Sequence, residues 1–571
     1  QSGAPRVPPL WAFAPMHWRN EWTDTATLFG DLDEYRTRHI PASTVWIDNP
    51  WETSYNDATL DPARFGDVAA LMSGIAARGF KTIAWSTPYL EKPAAPPNDP
   101  AQDLYVTAAS KGYFVMGGSE PFGALGCCVS TGLGMIDFTS PDATAFWAGV
   151  QSRATLAGFS GFKLDYGEDL VTDFLGGRLG VTLSDGETER TSRRYPLLYD
   201  DAYRKALEAA HTDGFLIGRG SSFGGQSHVD AIWPGDLDSD LTTRTATRVG
   251  GLPAAIVAAQ SLAESGFPSF GSDTGGFRND TPTRETLLRW AEHTAFSVIM
   301  QLGGGGDSHD PWMYDEEAAT IYGTLARAHM QLVPYLRGLV AKAHADGSPS
   351  IRSLPLEFPG DAAGFAHADD EYLLGDAILV APVTTAGATS RVVHVPPGDW
   401  SHWFTGAISR GPAEVTVDAP LGAPPVFVRA GAIVPLFPDG IDTLVASTAP
   451  GVVSLEGHEA EVEARVFATT SGDATWLDGA SLTYTASSSA LGVTWSPVAP
   501  VRDVFVAIDL RRAAFTGAAP HALTVTGAAL TEVADEASVR ASSASAFAVS
   551  SDGATMWLRL AGQTTASFTA S

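Results

Sequence analysis

Short apolar runs separated by helical stretches fill the first 350 residues of the chain. Each run has the length of a buried strand, and this alternation is typical of parallel strands joined by crossover helices. The predicted strands are Leu10–Pro15, Ser43–Asp48, Lys81–Ser86, the run that ends at Asp165, Phe215–Gly218, His228–Trp233, Phe267–Ser272 and Ser297–Leu302. The predicted helices are Asp67–Ala77, Pro141–Leu156, Ala202–His211 and Glu316–Ala345. Eight strands with crossovers predict an α/β fold of the (β/α)8 TIM-barrel type.

The pattern changes after residue 350. Short alternating runs such as Asp376–Pro382 and Arg391–Val395 take over, with Gly and Pro between them. This is typical of antiparallel β-sandwich structure. We therefore predict a catalytic barrel over residues 1–350, a proximal β domain over 351–436 and a distal β domain over 437–571.

Polar side chains follow five of the predicted barrel strands: Asp48, Asp165, Arg219, Asp236 and Asp273. One such Asp alone is more often a helix cap or a turn acid than a functional group. Five at successive strand ends favour a shared pocket, because the carboxyl ends of barrel strands build the active site.

The composition excludes several classes of ligand and partner. The net charge of −29 disfavours nucleic-acid binding, since an acidic surface repels phosphates. The sequence contains no apolar run of about 18 residues, so no membrane-spanning helix is expected. Cys127 and Cys128 are adjacent, where a disulfide is strained, so two free thiols are expected. No metal-ligand spacing or phosphate loop is found, so no metal and no organic cofactor is expected.

The start of the chain and its composition bear on the compartment. No signal peptide is visible, and the opening Gln1–Pro5 fits a processed chain or an added tail. The low Lys content and a Ser/Thr/Ala-rich C-terminal region favour a secreted or periplasmic protein, with a cytoplasmic one as the alternative. Oligomeric state is left open.

Two carboxylates at the ends of two buried strands are the groups that glycosidic bond cleavage needs, one as nucleophile and one as proton donor. Asp165 ends an apolar run, which favours it over its neighbours Glu168 and Asp169. Asp236 ends the run Ala231–Asp236, although Asp238 and Asp240 are close rivals. Asp165 must stay ionised, whereas Asp236 must carry a proton, so a raised pKa is expected for Asp236.

Several motifs occur in an order that resembles glycoside hydrolase family 31, the retaining α-glycosidases, over residues 10–435. The motifs are Val45–Asp48, Asp61–Phe65, Lys163–Glu168, Trp233–Asp236, Ser272–Phe277, Leu332–Leu336 and Phe427–Gly431. The segment Lys163–Glu168 is closest to the Lys-Thr-Asp-Phe-Gly-Glu form of α-xylosidase members. A single motif would be weak, but the ordered set is specific.

The resemblance implies a role for each matching residue. Asp165 is the nucleophile and Asp236 the acid/base, while Asp48, Asp273 and Arg219 bind sugar hydroxyls. Lys163 adds positive charge, and Glu168 orients Arg219 or a nearby loop. Trp85 and Trp233 are candidate walls for the sugar, with barrel packing an equally good interpretation.

The sequence departs from the family in two places. Members usually carry Arg-x-His after the eighth strand, and the His binds sugar hydroxyls, whereas this position falls on Gly303 within a glycine run. His309 is expected either to reach the same place or to be a surface-loop residue. Members also have a β-sandwich before the barrel, so this chain is either a natural short form or a piece of a longer protein.

The predicted activity is that of an exo-acting retaining α-glycosidase on an oligosaccharide or glycoside, with α-glucosidase as the default. The same residues would serve an α-xylosidase, an α-galactosidase, an α-N-acetylgalactosaminidase or a transglycosylase. The competing class is a non-catalytic carbohydrate-binding protein on a degenerate barrel, which the presence of both carboxylates disfavours.

Overall fold

Eight parallel strands form one closed sheet in the first part of the chain. The computed structural model describes residues 2–94, 103–123, 132–170, 181–186, 189–210, 213–279, 281–306, 309–476, 478–488, 490–499, 503–511, 522–526, 530–562 and 564–569. The barrel strands are β1 (Met16–Arg19), β2 (Thr44–Ile47), β3 (Lys81–Ser86), β4 (Gly161–Leu164), β5 (Phe215–Gly218), β6 (Ala231–Ile232), β7 (Asp273–Thr274) and β8 (Gln301–Leu302). They pair in the order β6-β5-β4-β3-β2-β1-β8-β7. A parallel bridge between Ile232 and Phe270 joins the two ends, which confirms the predicted (β/α)8 barrel.

The first strand lies later than the apolar pattern predicts. Leu10–Phe13 is a 3-10 helix, and the strand is Met16–Arg19. The prediction of Leu10–Pro15 is wrong because Pro9 and Pro15 have no N–H to donate to a sheet. In the true strand His17 and Arg19 alternate with apolar residues, so no continuous apolar run marks it.

Seven long helices surround the barrel within the described ranges. They are α1 (Thr25–Thr37), α2 (Val68–Ala77), α3 (Pro141–Ala157), α4 (Glu189–Ala209), α5 (Leu252–Glu264), α6 (Arg284–Thr294) and α7 (Glu316–Asp346). Side chains of Asp67, Ser140, Thr283 and Asp315 cap the first turns of α2, α3, α6 and α7. None of the described helices is long and apolar enough to cross a bilayer.

Shorter elements complete the barrel region. Short helices or turns cover Pro62–Phe65, Leu104–Ser110, Gly225–Ser227 and Pro311–Met313, and short strands cover Tyr89–Glu91, Met116–Gly117, Glu120–Pro121, Leu133–Met135 and Val181–Thr182. Cys127 and Cys128 lie outside the described residues.

Antiparallel sheets dominate after the barrel, as predicted. The proximal sheet contains β9 (Ile351–Ser353), β10 (Tyr372–Leu374), β11 (Ile378–Val380), β12 (Ser390–His402), β13 (Ile408–Asp418) and β14 (Val426–Arg429), in the order β9-β10-β11-β14-β12-β13. Short helices at Leu354–Glu357 and Gly364–His367 cover it.

Two distal sheets share one apolar core. Their strands are β15 (Ile433–Leu436), β16 (Glu461–Phe467), β17 (Ser471–Thr475), β18 (Ser481–Ala486), β19 (Ala490–Ser496), β20 (Asp503–Asp509), β21 (Ala522–Thr526), β22 (Thr531–Glu532), β23 (Ala546–Val549), β24 (Thr555–Ala561) and β25 (Thr564–Thr569), with a helix at Glu536–Ala541. The orders are β15-β16-β20-β24-β23-β22 and β17-β18-β19-β25-β21. Because β15 pairs with β16, this strand belongs to the distal sheet; the domain limits at 350 and 436 stay a prediction.

The segment between β15 and β16 packs under the barrel. Arg36 Nη1 donates to the Asp442 carbonyl at 3.0 Å, and Thr443 Oγ1 donates to the Gly79 carbonyl at 2.6 Å. The amide of Ala42 also donates to the Asp442 carbonyl at 3.0 Å. These bonds attach the distal part of the chain to the amino-terminal ends of β2 and β3.

Candidate active site

The strand-end residues share the inner face of the barrel. Residues paired across parallel strands point to the same side, and side chains two apart along a strand share that side. Lys163 pairs with Trp85 on β3 and with Ile217 on β5. Asp165 and Arg219 therefore follow on the same inner face, at the carboxyl end where barrel active sites form.

Asp165 is held by three donors. Its Oδ1 accepts from Arg219 Nη1 at 2.6 Å and from the amide of Tyr166 at 2.8 Å. Its Oδ2 accepts from Trp85 Nε1 at 3.0 Å. Both oxygens are thus fixed, and the side chain has one orientation toward the pocket. Trp85 is 2% exposed, so it supports this carboxylate more than it offers a wall to a sugar.

Arg219 joins two carboxylates. Its Nε lies 2.7 Å from Glu168 Oε1, while its Nη1 reaches Asp165. Burial alone would lower the pKa of Arg219, but the charges of Asp165 and Glu168 raise it instead. Burial raises the pKa of Glu168, and Arg219 opposes that rise. The guanidinium stays charged and orients both acids.

Asp236 stands at the rim, after β6. Burial by surrounding protein atoms and the nearby charge of Asp165 both raise the pKa of Asp236, while Arg219 and Lys163 lower it. The residue is exposed, so the effect of Asp165 is the firmer of the two causes. The two acids are thus close enough to interact electrostatically. A carboxyl group with a raised pKa suits general acid catalysis.

Lys163 lies at the bottom of the pocket in a cage of three indole rings. Its Nζ is 4.2, 5.3 and 5.2 Å from the ring centroids of Trp18, Trp46 and Trp233. The ammonium donates to Asp48 Oδ2 at 3.1 Å. Burial raises the pKa of Asp48 to about 6, and Lys163 limits that rise. Burial alone would lower the pKa of Lys163, but the charges of the surrounding aspartates outweigh burial and raise it.

Asp273 is the most isolated acid of the site. It is 3% exposed, and neither carboxylate oxygen has a hydrogen-bond partner among the described residues. Burial raises its pKa to about 8, with Lys163 opposing and Asp236 reinforcing the rise. A buried polar group without a partner calls for a ligand or water, and sugar hydroxyls would satisfy it.

Trp18 was missed by sequence reasoning. It stacks on Trp46 at 5.0 Å and on Phe277 at 6.2 Å. A Cβ on Gly303 would lie 2.5 Å from two atoms of the Trp18 ring and 2.4 Å from the Trp18 carbonyl oxygen, so the indole needs a glycine there. The alternation His17-Trp18-Arg19 indicates a strand with Trp18 on the inner face. Placing the first strand at Leu10–Pro15 left this alternation outside the predicted strand.

His309 supports the loop after β8. Its Nδ1 lies 3.0 Å from the Thr274 carbonyl, and its Nε2 lies 3.0 Å from the Gly305 carbonyl. The residue is 2% exposed, and burial lowers its pKa. The expected contact of His309 with sugar hydroxyls has no support in this geometry, because main-chain oxygens face both ring nitrogens.

Two described triads have ligand atoms close enough for a metal ion. They are His17, Asp31 and Asp310, and His367, Asp370 and Glu371. Arg19 contacts both acids of the first triad, and Arg391 contacts both acids of the second. A guanidinium therefore already supplies the positive charge in each triad.

Family models match most of this architecture. The model described as "Glycosyl hydrolases family 31 TIM-barrel domain" matches residues 5–339, and the family 31 C-terminal domain matches residues 347–434. The chain belongs to glycosyl hydrolase family 31. These matches confirm the resemblance to family 31 that the ordered motifs indicate.

Relatives within the family differ in activity. An α-xylosidase of Emericella nidulans is 27% identical over 76% of this chain and 54% of its own length. A sulfoquinovosidase of Escherichia coli is 32% identical over 62% of this chain and 50% of its own length. A family 31 dextranase of Flavobacterium johnsoniae, solved with glucose, superposes with a TM-score of 0.85 at 22% identity, covering 99% of this chain and 71% of that one. The chain spans about half the length of the curated relatives it matches.

Proposed function

We propose that the protein is an exo-acting retaining α-glycosidase for neutral sugars, with Asp165 as nucleophile and Asp236 as acid/base. One arrangement carries the proposal: Asp165, held by three donors, and Asp236 follow β4 and β6 at the carboxyl end of the same barrel. Burial and the charge of Asp165 raise the pKa of Asp236, which suits a proton donor. An ionised acid beside a protonated one is the pair that double displacement needs.

In the first step Asp165 attacks the anomeric carbon. The bond from that carbon to the glycosidic oxygen breaks, and Asp236 gives its proton to the departing oxygen. The sugar is then an ester of Asp165. This geometry needs the two carboxyl groups about 5–5.5 Å apart.

In the second step Asp236, now ionised, removes a proton from water. The resulting oxygen attacks the anomeric carbon, the ester bond breaks, and Asp165 leaves as a carboxylate. Two inversions give net retention of the α configuration. Arg219 stabilises the charge on Asp165 before attack and after release.

The buried polar groups below these acids favour a neutral sugar. Lys163 pairs with Asp48, and Arg219 pairs with Asp165 and Glu168, so both cations are already neutralised. An anionic substituent held beside Asp48 and Asp273 would meet two further acids and a lysine that is already paired, and desolvating it there would be costly. Near Asp236 the exposed Arg278 adds a positive charge, so the preference for a neutral sugar rests on this lower part of the site. A terminal glucosyl residue is the default substrate, and Asp48 and Asp273 are the proposed partners of its hydroxyls.

A panel of nitrophenyl α-glycosides tests the proposal. Turnover is expected on at least one neutral sugar, with little on a sulfonated one, and Asp165→Asn should abolish it while the circular dichroism spectrum is unchanged. Asp236→Ala should spare a dinitrophenyl glycoside, whose leaving group needs no proton, far more than an alkyl glycoside. Sugar binding without turnover on any substrate would instead identify a binding protein.

Covalent trapping tests the nucleophile directly. A cyclitol epoxide or aziridine should label Asp165 as an ester, which peptide mass spectrometry locates. Labelling of Glu168 or Asp169 in its place would overturn the assignment.

A further inference from the structure

Tyr166, directly after Asp165, has an unusual backbone conformation. Its φ angle is +57°, in the left-handed region that side chains other than Asn, Asp and Gly rarely adopt. A bulky residue persists in this strained conformation only where its surroundings enforce it. The next residue, Gly167, also has a positive φ of 90°, and a Cβ there would lie 2.9 Å from the Tyr199 ring.

The Tyr166 amide, at the start of this turn, faces the preceding side chain. This N–H donates to Asp165 Oδ1 at 2.8 Å, the same oxygen that Arg219 binds at 2.6 Å. The turn also brings Glu168 back to the Arg219 Nε at 2.7 Å. One short turn thus places Asp165 and Glu168 around a single guanidinium, and its first amide binds the Asp165 oxygen that the guanidinium also binds.

The Tyr166 ring fixes the other side of that guanidinium. The Arg219 Cζ lies 4.3 Å from the ring centroid, and Tyr89 meets the ring edge-on at 6.2 Å and 84°. Tyr89 is in turn fixed by donating to Asp169 Oδ2 at 2.7 Å. The guanidinium is therefore confined between an aromatic face and two carboxylates.

The main chain leaves little room for this turn to relax. A Cβ on Gly220 would lie 2.9 Å from the Tyr166 carbonyl oxygen and 2.9 Å from the Glu168 amide. Gly220 directly follows Arg219, so the turn after β4 and the end of β5 are in close main-chain contact. Movement of one would displace the other.

We infer that Tyr166 is a positioning residue for the nucleophile, acting through its own amide and through Arg219. This inference rests on the proposed function. The ring confines the guanidinium, and the guanidinium fixes the attacking carboxylate, so the ring controls attack without needing to touch the sugar. Losing the aromatic face should lower kcat/KM roughly ten- to a hundredfold, mainly in kcat, as expected for small misplacements of a reacting group.

Three substitutions separate the ring from the backbone. Tyr166→Phe keeps the face, Tyr166→Leu keeps bulk without a π face, and Tyr166→Gly removes the ring and relieves the strain. Tyr113→Leu is the matched control, since it removes a tyrosine that packs against Lys111 at 5.7 Å elsewhere. The measurements are kcat and KM on a dinitrophenyl glycoside, the rate of covalent labelling by the cyclitol epoxide, and the melting temperature.

The Phe variant and the Tyr113 control should label and turn over at the wild-type rate. The Leu and Gly variants should lose labelling rate and kcat together, and the Gly variant should melt at a higher temperature than the Leu variant, because glycine adopts the positive φ without strain. A Leu variant that labels as fast as wild type overturns the inference, as does a loss that appears only in KM. Failure of the proposed function can be told apart from failure of this inference. In the first case the wild-type protein itself would neither hydrolyse the glycoside nor be labelled at Asp165.

Discussion

Replacing Asp273 by Asn should stabilise the protein at high pH and weaken its activity. Burial raises the pKa of Asp273 from 3.8 to about 8. The folded state therefore holds a proton that the unfolded chain releases, and stability from this group falls as the pH rises from about 4 to about 8. Since each pKa unit is worth about 1.4 kcal/mol, the loss over this window is on the order of 5 kcal/mol. Asn matches the shape of the protonated acid and does not titrate.

The assay is urea unfolding of wild type and Asp273→Asn at pH 5, 6.5 and 8, followed by tryptophan fluorescence. The stability advantage of the variant should grow from about 1 kcal/mol at pH 5 to several at pH 8. Glu371→Gln is the matched control, because burial raises the pKa of Glu371 to about 8 in the proximal β domain. It should show the same trend in stability with normal turnover. A stability gap for Asp273→Asn that does not change with pH would refute the reasoning.

Three further substitutions test packing and charge, two in the site and one in helix α7. Gly303→Ala should unfold at clearly lower temperature and lose activity, because its Cβ would overlap Trp18; a normal melting curve would contradict this. Gly338→Ala, with open space at its Cβ inside α7, should stabilise by about 0.5–1 kcal/mol in thermal unfolding, and a loss would argue against that helix environment. Arg219→Lys should lower kcat/KM at least about a hundredfold, since one ammonium cannot fork between Asp165 and Glu168; wild-type kinetics would remove the fork from the mechanism.

Strand ends were predictable where apolar runs were continuous. Lys81–Ser86 and Phe215–Gly218 have the predicted bounds, because the second is buried along its whole length and the first at every residue after the half-buried Lys81. β1 was misplaced because its outward-facing residues His17 and Arg19 are polar. Arg19 binds Asp31, which lies on the following helix, and Asp310, which lies near the end of the barrel region.

The roles of individual side chains depend on contacts that sequence spacing does not encode. His309 looked available for a sugar, yet its partners are carbonyls of Thr274 and Gly305, which are brought to it by the β7 and β8 loops. Tyr166 looked like an ordinary motif position, and only its φ angle and its distance to Arg219 reveal its setting.

The segment between β15 and β16, which packs under the barrel, affects when the barrel can complete its hydrogen bonds during synthesis. The Asp442 carbonyl that receives the Arg36 guanidinium comes 406 positions later in the chain. The ribosome therefore synthesises Arg36 long before Asp442. The barrel residues Arg36 and Gly79 form their hydrogen bonds to Asp442 and Thr443 only after translation has passed Thr443. A stop codon shortly before that point would leave Arg36 and the ends of β2 and β3 without these partners, and the damage would reach the catalytic barrel itself.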